Sequence, residues 1–267
     1  MPYGFCHWEL ASLAFLAYTL ACVLLLPGLT RRARMLSGCG GIAGLAIVFW
    51  SASLPGTDVI GRFLFLPAFV LLLGYWTTGL LFRAPMPRLE SLLRRFDSTL
   101  RVRATAASIP RVVAELLEFA YAAVYGLVPL ALLIHVMTTP AESIDRDRFW
   151  TVILVTDFFC FGLLPWIQTR PPRALEEGDP WRSTLRRFNL RLLGSTSIRV
   201  NTCPSGHAAE AVAAALLVTN APLPVVVMMM LAALAVSAGA VYGRYHYAID
   251  ALSGWVVAVA VWAAASA

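Results

Sequence analysis

Eight unbroken apolar blocks, each close to the length of a membrane-spanning helix, leave this chain little choice of fold. They fall at roughly residues 8–27, 36–54, 62–82, 112–137, 148–169, 204–220, 223–243 and 246–266, judged against a bilayer core of about 30 Å that takes about 20 apolar residues in helix. In hydrocarbon every backbone N–H and C=O must find its partner inside the segment, which leaves helices as the way to cross. With 59% hydrophobic and 13% charged residues, the 267-residue chain has no polar stretch long enough for a soluble domain. The reading is an all-α, polytopic membrane bundle of about eight transmembrane helices. The first block follows Glu9 rather than a basic segment and runs on to spanning length, so it is expected to be retained rather than cleaved as a signal.

Charge sets an orientation. All 21 basic residues are arginine, a bias that fits a GC-rich genome. Arg31, Arg32 and Arg34 lie between the first and second blocks, seven arginines run from Arg83 to Arg111, and seven more from Arg170 to Arg199. Alternating helices bring these loops to one face, while the other face has Arg62, Arg146 and Arg148. The positive-inside rule then puts the rich face in the cytoplasm and both termini outside, with a bacterial inner membrane as the expected location. Within that face, Leu89, Leu92, Leu93, Phe96 and Leu100 recur at helical spacing among arginines, as in an amphipathic helix lying on anionic lipid. The five cysteines form no CxxC pair and suggest neither a disulfide framework nor a zinc site.

Three polar segments interrupt the apolar pattern, and alternation brings all three to the arginine-rich face. Thr169, Arg170, Pro171, Pro172 and Arg173 follow the fifth block; guanidinium forks match phosphate oxygens, and the prolines stiffen the loop. Pro204, Ser205, Gly206 and His207 open the sixth, where a helix N-terminus presents free N–H groups and the positive end of its dipole to an anion. Arg244, His246 and Asp250 open the eighth. Four residues apart on a helix, His246 and Asp250 share a face, so the carboxylate can hold one ring nitrogen and leave the other free to attack. His7 and His135, by contrast, sit alone. Asp157 within the fifth block is expected to bond a neighbouring helix or support the site, and Glu115 and Glu118 to anchor the fourth block or pair with the arginines.

These residues resemble the type 2 phosphatidic acid phosphatase superfamily, whose signatures are Lys-x6-Arg-Pro, Pro-Ser-Gly-His and Ser-Arg-x5-His-x3-Asp. The second is complete. Arg170 and Pro171 match the first, with Leu163 at the lysine position; His246 and Asp250 match the third, with Gly239 and Ala240 at the Ser-Arg positions. The relaxed first and third signatures look closer to the branch that includes inositol phosphorylceramide synthases. The resemblance implies a six-helix phosphatase-like core over residues 62–267, with two further helices in 1–61. It implies a metal-independent, cofactor-free phosphatase for a lipid or polyprenyl phosphate. His246 would be the nucleophile, Asp250 its orienting partner and His207 the proton donor to the leaving oxygen, with Arg170, Arg173, Ser205, Gly206 and Arg244 around the phosphate. A phosphotransferase or lipid head-group synthase is the alternative, and an inactive lipid-binding relative the third. The expected partners are membrane lipids and the lipid phosphate itself, and no nucleic acid.

Overall fold

The structure is a computed structural model that describes residues 4–55, 58–141, 144–198 and 200–266; Arg199 lies outside them. Among the described residues eleven α-helices follow one another: α1 His7–Leu25, α2 Arg31–Ser53, α3 Leu66–Gly79, α4 Pro87–Thr99, α5 Val102–Ser108, α6 Arg111–Thr138, α7 Arg146–Gly162, α8 Thr184–Thr196, α9 Gly206–Leu216, α10 Leu223–Tyr242 and α11 Ala248–Ala264. A π-helical turn, Gly61–Phe65, leads into α3. Among the described residues there is no strand, only an isolated antiparallel bridge between Thr169 and Asn201. The chain is a polytopic helical membrane protein.

All eight apolar blocks are helical, but not all at full length. α1, α2, the segment Gly61–Gly79, α6 and α10 are long and apolar enough to cross a bilayer. α7 and α11 have 17 residues each, and α9 has only 11, a rise of about 16 Å. α7 stops at Gly162 although Leu163 and Leu164 continue the apolar run, because Pro165 cannot extend a helix. α9 survives as a short helix because α6, α7, α10 and α11 pack around it. Ala208, Ala209, Ala211, Ala213, Ala214 and Ala215 are all buried and let those neighbours come close. At Gly254 of α11 a Cβ would lie 2.7 Å from the carbonyl oxygen of Ser205, so only glycine permits this crossing.

Several charged groups at the two ends of the bundle are satisfied locally. At the end remote from the three motifs, Arg62 is buried, donates to both carboxylate oxygens of Glu9 at 2.9 and 2.7 Å, and Ser51 donates to the same carboxylate. Arg148 caps α11 through the carbonyl of Ala265. His7 at this end pairs with Asp147, and His135 tilts against Phe149. At the opposite end Arg34 caps α1 through the carbonyls of Val23 and Leu26, and Arg83 binds the carbonyl of Pro165.

α4 is amphipathic, with an inward face that the leucine stripe did not foretell. Glu90, Leu93 and Asp97, at i, i+3 and i+7, are buried, whereas Leu92 and Leu100 are exposed. The helix thus turns two carboxylates towards the motif end of the bundle.

Candidate active site

The ends of α7 and α10 and the starts of α9 and α11 bring the three motif segments together, and one side chain joins them. Asn201 donates from its amide to Thr169 Oγ1 at 3.1 Å and to Asp250 Oδ2 at 2.9 Å, while its backbone N–H donates to the Thr169 carbonyl. The N–H of Ser205 donates to the backbone carbonyl of Asp250 at 2.9 Å. The sequence offered no marker for this role of Asn201 beyond its place before the second motif.

Within this frame the two histidines face each other. The rings of His207 and His246 lie 6.3 Å apart, centroid to centroid, at 78°. Two tyrosine rings of α6, Tyr121 and Tyr125, meet His207 edge to face, each at 5.4 Å. His246 Nδ1 lies 3.7 Å from Asp250 Oδ2, beyond hydrogen-bond range, and Asp250 Oδ2 instead accepts from Asn201 and from the N–H of Tyr247. Asp250 is therefore an oriented carboxylate poised one short step from the ring. The thiol of Cys203 nearby is held well above its usual range by burial and then by the Asp250 charge, so it stays protonated and unreactive.

The phosphate-binding candidates divide into two groups. Gly206, His207, His246 and Arg173 line a cavity of about 220 Å³ that runs from the motif end into the bundle between α3, α6, α7 and α9. Arg173 is fixed beside it: its guanidinium donates to the Tyr245 carbonyl at 3.2 Å and lies over the Tyr245 ring at 5.3 Å. Ser205 is buried and caps α9, its hydroxyl accepting from Ala208 N–H. Arg170 and Arg244 do not line the cavity. Arg170 is engaged by Glu90, donating to its two oxygens from Nε at 3.0 Å and Nη2 at 2.8 Å. Arg244 is buried between Asp97, at 2.6 Å, and Glu176. Its left-handed backbone, φ 61°, turns the chain from α10 towards α11. The two acids of α4 thus claim the arginines of the first and third motifs.

That claim is testable by acid. The Arg170 hydrogen bonds hold the Glu90 carboxyl below its ordinary range. A depressed carboxyl contributes stability that is fully present above the unfolded value of about 4.3 and is lost as pH falls through the folded value. Melting temperatures of the native chain and Glu90→Gln should therefore differ at pH 7, with the gap closing as pH falls below about 4; a gap independent of pH would mean the pair does not hold α4.

A second carboxylate organises the floor of the motif end. Glu118 of α6 is buried and accepts from Trp181 Nε1, Arg186 Nη1, Asn189 Nδ2 and Tyr245 Oη, at 2.8, 3.2, 2.7 and 2.6 Å. One turn earlier, Glu115 accepts from Ser183 Oγ and the N–H groups of Thr184 and Leu185, and so caps α8. Tyr245, stacked on Tyr121 at 4.0 Å, carries this order to His246 next door.

The order of these elements, a histidine at the start of α9 and a histidine–aspartate pair at the start of α11, can be set beside known families. Residues 148–267 match the PAP2 superfamily. The match begins in α7 and takes in all three motifs, leaving α1 to α6 outside it. No curated protein and no solved structure matches the chain. This match supports an enzyme of the phosphatase or phosphotransferase type acting on lipids.

The structure also gives reasons for the positions that depart from the signatures. Gly239, at the serine position, packs so tightly that a Cβ would lie 2.5 Å from the backbone oxygen of Leu117 in α6. Ala240, at the arginine position, is fully buried and its carbonyl accepts the N–H groups of Tyr245 and His246. Leu163, at the lysine position, is not among the residues lining the cavity. Among the described residues, Arg173 is the one guanidinium lining it.

Proposed function

We propose that this chain hydrolyses a lipid or polyprenyl phosphate through a phosphohistidine on His246. The observation that carries this reading is the opposition of His207 and His246 across one wall of a cavity that also holds Arg173 and is otherwise largely apolar and aromatic. Such a cavity suits a charged head group whose tail stays in hydrocarbon. With Nδ1 turned to Asp250, Nε2 of His246 attacks phosphorus as the bond to the leaving oxygen breaks. His207 gives that oxygen its proton. Water then attacks the phosphorus–nitrogen bond and gives a proton to His207, and inorganic phosphate leaves with both histidines restored. Asp250 steadies the positive ring, and Arg173 with the first N–H groups of α9 offsets charge on the equatorial oxygens. No step calls for a metal. Arg170 and Arg244 act here through the frame, by locking α4 onto the motif loops. In this reading the core comprises residues 62–267, with the two N-terminal helices outside it, and the arginine-rich end supports a site at the cytoplasmic face of a bacterial inner membrane.

A second reading, transfer of the phosphoryl group to a lipid or polyol hydroxyl in the manner of inositol phosphorylceramide synthases, is favoured by Leu163, Gly239 and Ala240 in place of the signature residues. The test is phosphate release by purified protein from phosphatidic acid, phosphatidylglycerol phosphate and polyprenyl mono- and diphosphates, with EDTA present. Release that survives EDTA supports the phosphatase. Donor consumed only with an added alcohol points to the transferase, and consumption under neither condition to an inactive lipid-binding relative.

The arginines give a sharper check. Arg173→Ala should lower kcat/KM by about 100-fold, with Arg173→Lys in between because a lysine cannot reproduce the guanidinium fork. Arg170→Ala should cost activity only a few-fold while lowering the melting temperature. The reverse ranking in kcat/KM would return the phosphate to Arg170.

A further inference from the structure

Away from the histidines, the same cavity holds two carboxyl groups that the reaction above leaves idle. Asp157 of α7 is 1% exposed, and neither of its carboxylate oxygens has a hydrogen-bond partner. It lines the cavity beside the first turn of α9, where a Cβ on Gly206 would be 3.3 Å from its Oδ1. Glu210 lines the cavity as well, three residues beyond His207 and therefore on the same face of α9. Among the described residues neither acid forms an ion pair, in contrast to Glu90, Asp97 and Glu118 at the motif end. Around them stand aromatic rings: Tyr75 and Phe161 edge to face at 5.2 Å, with Tyr125 and Trp150 also on the wall.

A buried carboxylate without donors, as at Asp157, is costly unless it takes up a proton or a ligand brings both donors and charge, and the half-buried Glu210 beside it offers such a ligand a second carboxyl. A hydroxyl brings one donor and no charge. A protonated amine brings three N–H donors and a positive charge, and aromatic faces attract it further. We propose that Asp157 and Glu210 form an ammonium subsite, so that the lipid phosphate taken by this chain carries a protonated amine near its phosphorus. Cβ atoms of residues three apart on a helix lie about 5–6 Å from each other, so an amine held by Glu210 stands about one helical turn from a phosphate held at His207. The inference rests on the reading of His207, His246 and Arg173 as the phosphate site.

The test compares two lipids that differ only at nitrogen, sphingosine 1-phosphate and its N-acetylated form, with the full chain in lipid nanodiscs. Dissociation constants and phosphate release are measured for both. The free amine should bind at least about tenfold more tightly, and Asp157→Asn and Glu210→Gln, which preserve side-chain size, should each bring the ratio of affinities towards one. Equal binding of the two lipids by the native chain, or a ratio unchanged in both variants, overturns the subsite. Should one variant fail to fold, the other decides. Amine preference without phosphate release from either lipid would sink the phosphatase reading and keep the subsite; equal affinity with release from both would do the opposite.

Discussion

Replacement of His246 by alanine is expected to abolish phosphate release, by at least about a thousandfold in kcat, while leaving the fold intact. Both halves of that expectation come from the geometry. The imidazole makes no hydrogen bond through Nδ1, and what holds the segment is backbone, the His246 N–H donating to the Ala240 carbonyl at 2.9 Å. Removal of the ring therefore takes away the nucleophile and little else. A lipid labelled with radioactive phosphorus should leave an acid-labile label on the native chain during turnover and none on His246→Ala. A label that persists in the variant would move the nucleophile elsewhere. Asp250→Asn should fall between the two, since the ring keeps its position but loses the charge that steadies it.

The largest effect on stability is expected at Glu118. Glu118→Ala strips the acceptor from four donors at once and leaves Arg186, 3% exposed, with the exposed Asp179 as its remaining charged partner among the described residues. Breaking a buried pair from one side costs about 3–5 kcal/mol, because the remaining charge is stranded. Thermal unfolding in detergent should show a clear fall in melting temperature, smaller for Glu118→Gln, which keeps an acceptor. Glu115→Ala, which removes the cap of α8, should lower the melting temperature less. If Glu118→Ala melts within a degree of the native chain, the convergence on Glu118 does not hold this end together. Activity should fall too, because Tyr245 both touches Glu118 and supplies the carbonyl that positions Arg173.

The sequence disclosed the helices and the gathering of the motifs far better than the partners within them. Length and apolarity sufficed for all eight blocks, and alternation sufficed to bring residues 170–173, 204–207 and 244–250 to one end. α8 escaped notice because its apolar positions, among them Leu185 and Leu193, are interleaved with arginines, and because its N-terminus is capped by Glu115, 68 to 70 residues away. Which arginine faces the cavity was equally illegible. Arg170 is engaged by Glu90, 80 residues earlier, and Arg244 by Asp97, 147 residues earlier, and in the sequence both acids are hidden inside a stripe of leucines and arginines. Asp157 and Glu210 each sit within an apolar block, where composition alone does not tell a helix-to-helix bond from a ligand.

The amide of Asn201 has a consequence for anyone who would exchange parts of this protein. Because one side chain bridges the loop after α7 and the start of α11, the three motif segments behave as a single interchangeable cassette. Grafting a loop from a relative at one segment alone would strand a buried amide or its acceptor, at a cost of about 1–3 kcal/mol. Positions 169, 201 and 250 would have to travel together, and chimaeras cut between them should express poorly even when every catalytic residue is retained.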